Sequence, residues 1–232
     1  MNNPILWMSS HRRVSIIERH QFFVENSKRR IISQFAEFES EFEPLIESEI
    51  KKISEMNGRS SDEDGTDIPS RGYDSACNLF SLLTDFKNQI TAVVFAGCYH
   101  FWERELRSFL EDEISRIASG DVTEKYAWNS KTADLFEILT ELGWDIKTKS
   151  FYRNLNASGL AVNVYKHGNG VSQKRLLNNH PEYFGRVSKL ELGGLKSDRG
   201  HNELEITEAH YEKLATSVLE FWSIFPERLG NS

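Results

Sequence analysis

The sequence predicts an all-α fold: a helical bundle of long antiparallel helices with one small extended segment near the C-terminus. Three observations lead there. Apolar residues recur at spacings of three to four along most of the chain. Five prolines among 232 residues leave room for long helices. No alternation of strands with helices marks a parallel sheet. With 39% apolar and 27% charged residues, the chain has the composition of a globular protein that buries a core. We read residues 1–232 as a single helical domain with a long-helix half over 1–129 and a second half over 130–230.

From Arg12 to Asn57, Ile16/Ile17, Phe23/Val24, Ile31, Phe35, Phe38, Phe42 and Leu45/Ile46 keep helical spacing. Pro44 is expected to break or kink this run into two helices, and Gly58 to stop the second. Residues 58–72 are rich in Gly, Ser and Asp and read as a polar loop within the domain. A second long helix is expected from Tyr73 to about Ala118, with Ile90, Val94, Cys98, Phe101/Trp102, Leu106 and Phe109/Leu110 as its apolar stripe and Gly120 as its end. Glu103 and Arg107 can pair one turn apart on its outer face. Ser130 or Thr132 can cap a shorter helix that Gly143 stops.

The next helix runs from a Ser150 cap to His167, stopped by Gly168. Gly159 lies inside it, costs roughly 1 kcal/mol relative to Ala, and marks a place where it can break. A short helix over Ser172–Asn178 leads into Pro181. Residues 185–206 carry several glycines and some alternation, Leu190/Leu192 and Leu204/Ile206, which suggests a small strand or extended loop. Thr207 opens a last helix whose Leu214, Val218, Phe221/Trp222 and Phe225 face inward, with Pro226 ending it.

Several function classes find no support. The start, Met1-Asn-Asn-Pro-Ile-Leu-Trp, lacks the pattern of a secretory leader, and no apolar run approaches the ~18 residues of a membrane span. If Cys77 and Cys98 share one helix they stand roughly 31 Å apart, beyond the ~7 Å reach of a disulfide. They read as reduced thiols, and the chain as cytoplasmic. The seven histidines include no pair at i,i+3 or i,i+4 and none joined to a cysteine at ligand spacing, so no metal is expected. There is no Walker-type element, no strand–GxGxxG–helix and no Gly-x-Ser-x-Gly elbow, so no cofactor is expected either. The acidic side chains Glu103, Glu105, Glu111, Asp112 and Glu113 fit an ordinary solvated helix face.

Charge distribution is more telling than its sum. The net charge is −7, against a general nucleic-acid coat. Residues 37–64 hold ten carboxylates against three Lys/Arg, whereas residues 146–181 hold Lys147, Lys149, Arg153, Lys166, Lys174 and Arg175 and no carboxylate. That segment predicts a local electropositive surface in an acidic protein.

Within it lies Asn163-Val-Tyr-Lys-His-Gly168. At 3.6 residues per turn, Asn163 shares a face with both Lys166 and His167. A histidine at a helix C-terminus can take and give a proton near neutral pH. The Asn163 amide can hold a phosphate or orient the imidazole, and Lys166 can neutralise charge building on phosphorus. These are the parts of metal-free RNA cleavage by 2′-OH attack. The same residues also read as a plain helix end, with His167 capping carbonyls and Lys166 solvated.

Asn163-x3-His167 on a late helix resembles the active-site element of HEPN-domain proteins, helical-bundle ribonucleases of prokaryotic toxin–antitoxin, abortive-infection and CRISPR-linked systems. In that family an arginine precedes the polar residue; here Val162 stands in its place. Pro181-Glu-Tyr-Phe184 and Phe221-Trp-Ser-Ile-Phe-Pro226 resemble segments of HEPN-like proteins from defence loci, so the likeness covers roughly 130–230. The resemblance implies a homodimeric, metal-independent endoribonuclease of antiphage defence or a toxin system, with His167 as general acid/base, Asn163 and Lys166 beside it, and RNA held by Arg153, Lys147, Lys149, Lys174 and Arg175. It also implies a cognate antitoxin or defence-complex partner. Arg153, about 40° from His167 around the helix but roughly 21 Å along it, would reach the site from a second subunit or across a break at Gly159. The alternatives are a catalytically degenerate HEPN-like binding or regulatory subunit, and a nucleic-acid sensor that binds without cutting.

Overall fold

The structure, a computed structural model, describes residues 6–57, 67–117, 120–185, 200 and 203–230. It is all-α. The helices are α1 (Ser10–Arg30), α2 (Phe42–Asn57), α3 (Ile68–Ile114), α4 (Gly120–Ala127), α5 (Thr132–Glu141), α6 (Tyr152–His167), α7 (Val171–Asn179) and α8 (Glu208–Ser223). A two-residue antiparallel pair joins β1 (Leu6–Trp7) to β2 (Arg228–Leu229), in the register Leu6↔Leu229 and Trp7↔Arg228. Among the described residues no helix is long and apolar enough to cross a membrane. By its internal contacts the chain divides into two compact units, Asn26–Thr91 and Met1–Glu25 with Ala92–Ser232.

The smaller unit is held by phenylalanines. Phe80 on α3 stacks on Phe38 and tilts against Phe42, each at 4.8 Å between ring centroids. Such pairs add about 0.5–1.5 kcal/mol to the burial of their area. Where α2 and α3 touch, Gly72 leaves no room for a side chain: a Cβ there would stand 2.4 Å from Ile50 Cγ1 and 2.8 Å from its Cα. Glu49 is buried beside this contact and accepts a hydrogen bond from the Ser75 hydroxyl at 2.7 Å. The expected break at Pro44 falls elsewhere. The first helix ends at Arg30, two 3-10 segments (Ile32–Phe35 and Phe38–Glu41) follow, and Pro44 sits in the first turn of α2. There its missing N–H has no intrahelical partner to lose. Residues 58–66 of the expected loop lie outside the described residues, and 68–72 are already helix, with Pro69 in the first turn of α3.

The larger unit has an aromatic core. Trp102, Phe109, Phe151, Phe221, Trp222 and Phe225 are fully buried. They meet mostly edge to face, as Trp102–Phe221 at 5.3 Å and Phe109–Phe225 at 5.1 Å, the geometry that ring quadrupoles favour. α6 packs on α7 and α8. Polar ties fix the chain ends: the Arg13 guanidinium donates to the Phe225 carbonyl at 2.6 Å. Glu113, expected on a solvated face, is instead buried, accepting from the Trp7 N–H at 3.1 Å, Arg116 at 2.9 Å and Arg12 at 3.3 Å. A buried carboxylate is stable only when paired in this way. The long helix α3 ends at Ile114, and Gly120 opens α4 rather than closing α3.

Two expected stops and one expected start hold. Gly143 and Gly168 follow α5 and α6 with φ of +99° and +73°, values that favour glycine. Thr207 caps α8, accepting the His210 N–H at 3.3 Å, and Leu214, Val218, Phe221, Trp222 and Phe225 face inward. Of the extended segment, 186–199 lie outside the described residues; Phe184 and Leu204 form an isolated antiparallel bridge.

Candidate functional site

Helix α6 carries the site. It is unbroken from Tyr152 to His167, Gly159 included. The glycine is there for packing: a Cβ at 159 would stand 2.5 Å from the Tyr99 hydroxyl of α3. Leu155, Ala157, Leu160, Ala161, Val162 and Val164 turn one side of α6 into the core, and Asn163, Lys166 and His167 lie exposed on the other. The last turn closes with the Gly168 N–H donating to the Val164 carbonyl at 2.8 Å. The side chains of Asn163, Lys166 and His167 make no hydrogen bond or ion pair with any described residue. His167 therefore caps no carbonyl of its own helix.

Beside this face lies a cleft of about 760 Å³ between α3, α5, α6 and α7. Tyr152, Asn156, Gly159, Leu160 and Asn163 supply its α6 wall, at the three- and four-residue spacing of one helix face. Lys147 and Arg175 line it too. Of the eight residues singled out by sequence, the cleft gathers Asn163, Lys147 and Arg175; His167, Lys166, Arg153, Lys149 and Lys174 are not in its lining. His167 continues the Asn163 face one turn farther on.

The opposite wall is an ordered polar cluster. Arg107 donates to Glu103 at 2.8 Å and to the Ala127 carbonyl at 2.7 Å, and the Thr132 hydroxyl donates to Glu103 at 2.5 Å. Glu103 and Arg107 pair as the spacing predicts, but they line the cleft instead of an outer face. Burial pushes the Glu103 carboxyl up; the hydrogen bonds from Thr132 and Arg107, the Arg107 charge and His100 outweigh it and hold the group below the usual carboxylate range. Tyr99 is pushed well above a normal phenol, first by burial and then by the Glu103 charge, so it stays neutral.

The acid-free segment is not an acid-free surface. Lys147 donates to Glu137 at 2.6 Å, which raises its pKa. Arg153 lies near enough to Glu182 to lower that carboxyl, after burial, its own backbone and His180 have acted on it. Ser150, expected to cap α6, instead hydrogen-bonds Glu220 of α8. Because α6 is continuous, Arg153 stays fourteen residues and roughly 21 Å from His167 of its own chain. Arg175 has no carboxylate partner among the described residues.

As site residues, sequence reasoning missed Glu103 and Arg107, read only as a helix pair, Thr132, read only as a cap, and Tyr152 and Asn156. Only Asn156 left a signal, since its seven-residue spacing from Asn163 repeats one helix face. Among the described residues no group of three or more His, Cys, Asp or Glu side chains could hold a metal ion. Cys77 and Cys98 are both free, and burial pushes the Cys98 thiol up to about 12, which makes it a poor nucleophile. No protein-family model matches the chain, and no curated protein or solved structure is significantly similar to it.

Proposed function

We propose that the chain is a HEPN-like, metal-independent endoribonuclease that acts as a homodimer in antiphage defence or as a toxin held by a cognate partner. The observation that carries this reading is the free, exposed Asn163–His167 face of α6, running beside a cleft that Arg175 and Lys147 also line. In the proposed reaction His167 takes the proton of a ribose 2′-OH. The 2′-oxygen bonds to the adjacent phosphorus, the bond to the 5′-oxygen breaks, and the leaving oxygen receives a proton. Asn163 holds the phosphate or the imidazole, and Lys166 offsets the charge on phosphorus. Arg175 supplies in the same chain the cation that the family's arginine slot lacks, and Arg153 serves only from a second subunit.

General acid–base groups contribute typically 10²–10⁴-fold. The purified protein is expected to cut single-stranded RNA in EDTA, with His167→Ala slowing cleavage at least about 100-fold. Cleavage that is absent, or unchanged in His167→Ala, removes this reading.

One observation favours a second reading, a binding subunit that does not cut. Val162, in the arginine slot, is 1% exposed and belongs to the core. An arginine introduced there would bury an unpaired charge, so its restoration is no clean test. RNA binding that weakens with salt and survives His167→Ala, without cleavage, would mark this reading as the right one.

A further inference from the structure

We infer that the cleft between α3, α5, α6 and α7 holds one unpaired purine nucleotide, its base against the α6 wall and its single phosphate at Arg175. This deepens the RNA reading above and rests on it only for the source of the nucleotide. At about 760 Å³ the cleft lies within the ~300–1,000 Å³ of small-molecule sites.

Its chemistry is selective. Asn156, two turns before the Asn163 that holds the phosphate or the imidazole, projects from the same face of α6 with no hydrogen-bond partner among the described residues. Its side-chain amide offers donors and an acceptor together, the combination that pairs in bidentate fashion with the N6 and N7 edge of adenine. One turn along from Asn156, the Gly159 backbone is covered by the Tyr99 hydroxyl, which also lines the cleft. Tyr152 borders the same space, its ring held edge to face against Phe136 at 5.7 Å. An aromatic ring beside an amide group suits a splayed, unstacked base of single-stranded RNA.

Charge sets the number of phosphates. Glu103 and Glu137 line the cleft, and each is already bonded to a cation, Arg107 at 2.8 Å and Lys147 at 2.6 Å. Arg175 and Lys131, which also lines the cleft, stand without a carboxylate partner among the described residues. Two unpaired cations suit one doubly charged phosphate group.

The test is calorimetric titration of the full chain with AMP, adenosine, CMP and inorganic phosphate. AMP is expected to bind more tightly than the other three. Asn156→Ala should weaken AMP and adenosine alike, by roughly fivefold, the value of one neutral hydrogen bond. Arg175→Ala, an exposed change that leaves the core untouched, should weaken AMP about tenfold or more and leave adenosine unchanged. Inorganic phosphate binding as well as AMP, AMP and CMP binding alike, or affinities indifferent to both variants would overturn the proposal. Displacement of AMP by a short oligoadenylate identifies RNA as the source, and binding of AMP alone identifies a free nucleotide. A protein that binds AMP but cuts no RNA keeps the pocket and loses the nuclease; one that cuts RNA without binding AMP keeps the nuclease and loses the pocket.

Discussion

At the scale of single residues, His20 shows how a core position records its chemistry in pH. It is buried between Phe101, at 4.5 Å, and Trp222, at 6.3 Å, and neither ring nitrogen has a hydrogen-bond partner. Burial first, and the Arg19 charge second, lower its pKa from 6.5 to about 4. The unfolded chain therefore binds a proton below pH 6.5 that the folded chain refuses until about pH 4. Stability contributed by this group is fully present above pH 6.5, falls as pH drops, and levels off near 4, a loss of about 3 kcal/mol. His20→Phe should shrink the difference in urea midpoint between pH 7 and pH 4.5. An unchanged difference would mean that His20 is not the group responsible.

The residues of the site were partly legible for a related reason. Asn163, Lys166 and His167 announce themselves by spacing, because separations of three and four residues put Lys166 and His167 on the face of Asn163. Glu113 did not, because a carboxylate beside Glu111 and Asp112 looks solvated until Trp7 and Arg12 are brought to it from elsewhere in the chain, to join the local Arg116. Lys147 erred the other way: its neutraliser, Glu137, lies outside the acid-free run of sequence but beside it in space.

At the scale of elements, two glycines decide where helices meet. Ala has about 1 kcal/mol more helix propensity than Gly, so Gly159→Ala would stabilise α6 if its surroundings were empty. They are not, with the Tyr99 hydroxyl 2.5 Å and its ring carbon 3.0 Å from the new Cβ. Overpacking typically costs 1–3 kcal/mol, so the net effect should be a loss of about 1 kcal/mol. Tyr99→Phe in the same chain should recover part of it, a coupling measurable by a double-mutant cycle in urea. A Gly159→Ala chain more stable than the parent would refute the close approach. Gly72→Ala should cost more, by thermal melting, because the new Cβ meets Ile50 backbone, which cannot swing aside. A glycine within a helix reads in sequence as a weak point; only the neighbouring helix shows that it is a contact. Helix stops are local, so Gly143 and Gly168 were legible as ends. The Gly120 and Pro44 roles were not, because both residues suit helix starts as well as breaks.

At the scale of the whole molecule, the all-α class follows from the period of the apolar residues, and the aromatic core follows from the stripes of α3 and α8. The cleft is of another kind. Its walls come from positions 99–107, 131–137, 147–163 and 171–175, and no local pattern announces that these segments converge. Tyr152 and Thr132 became site residues only through that convergence, and Asn156 through it together with its spacing from Asn163. The motif and the cleft together form the central claim, a histidine-driven cut in RNA beside a nucleotide-sized recess. The chemistry of the cut ends tests it most directly. Single-stranded RNA incubated with the protein in EDTA should yield fragments with 2′,3′-cyclic phosphate and 5′-hydroxyl ends by mass spectrometry, and His167→Ala should yield almost none. Fragments ending in 3′-hydroxyl and 5′-phosphate, or equal product from His167→Ala, would contradict it.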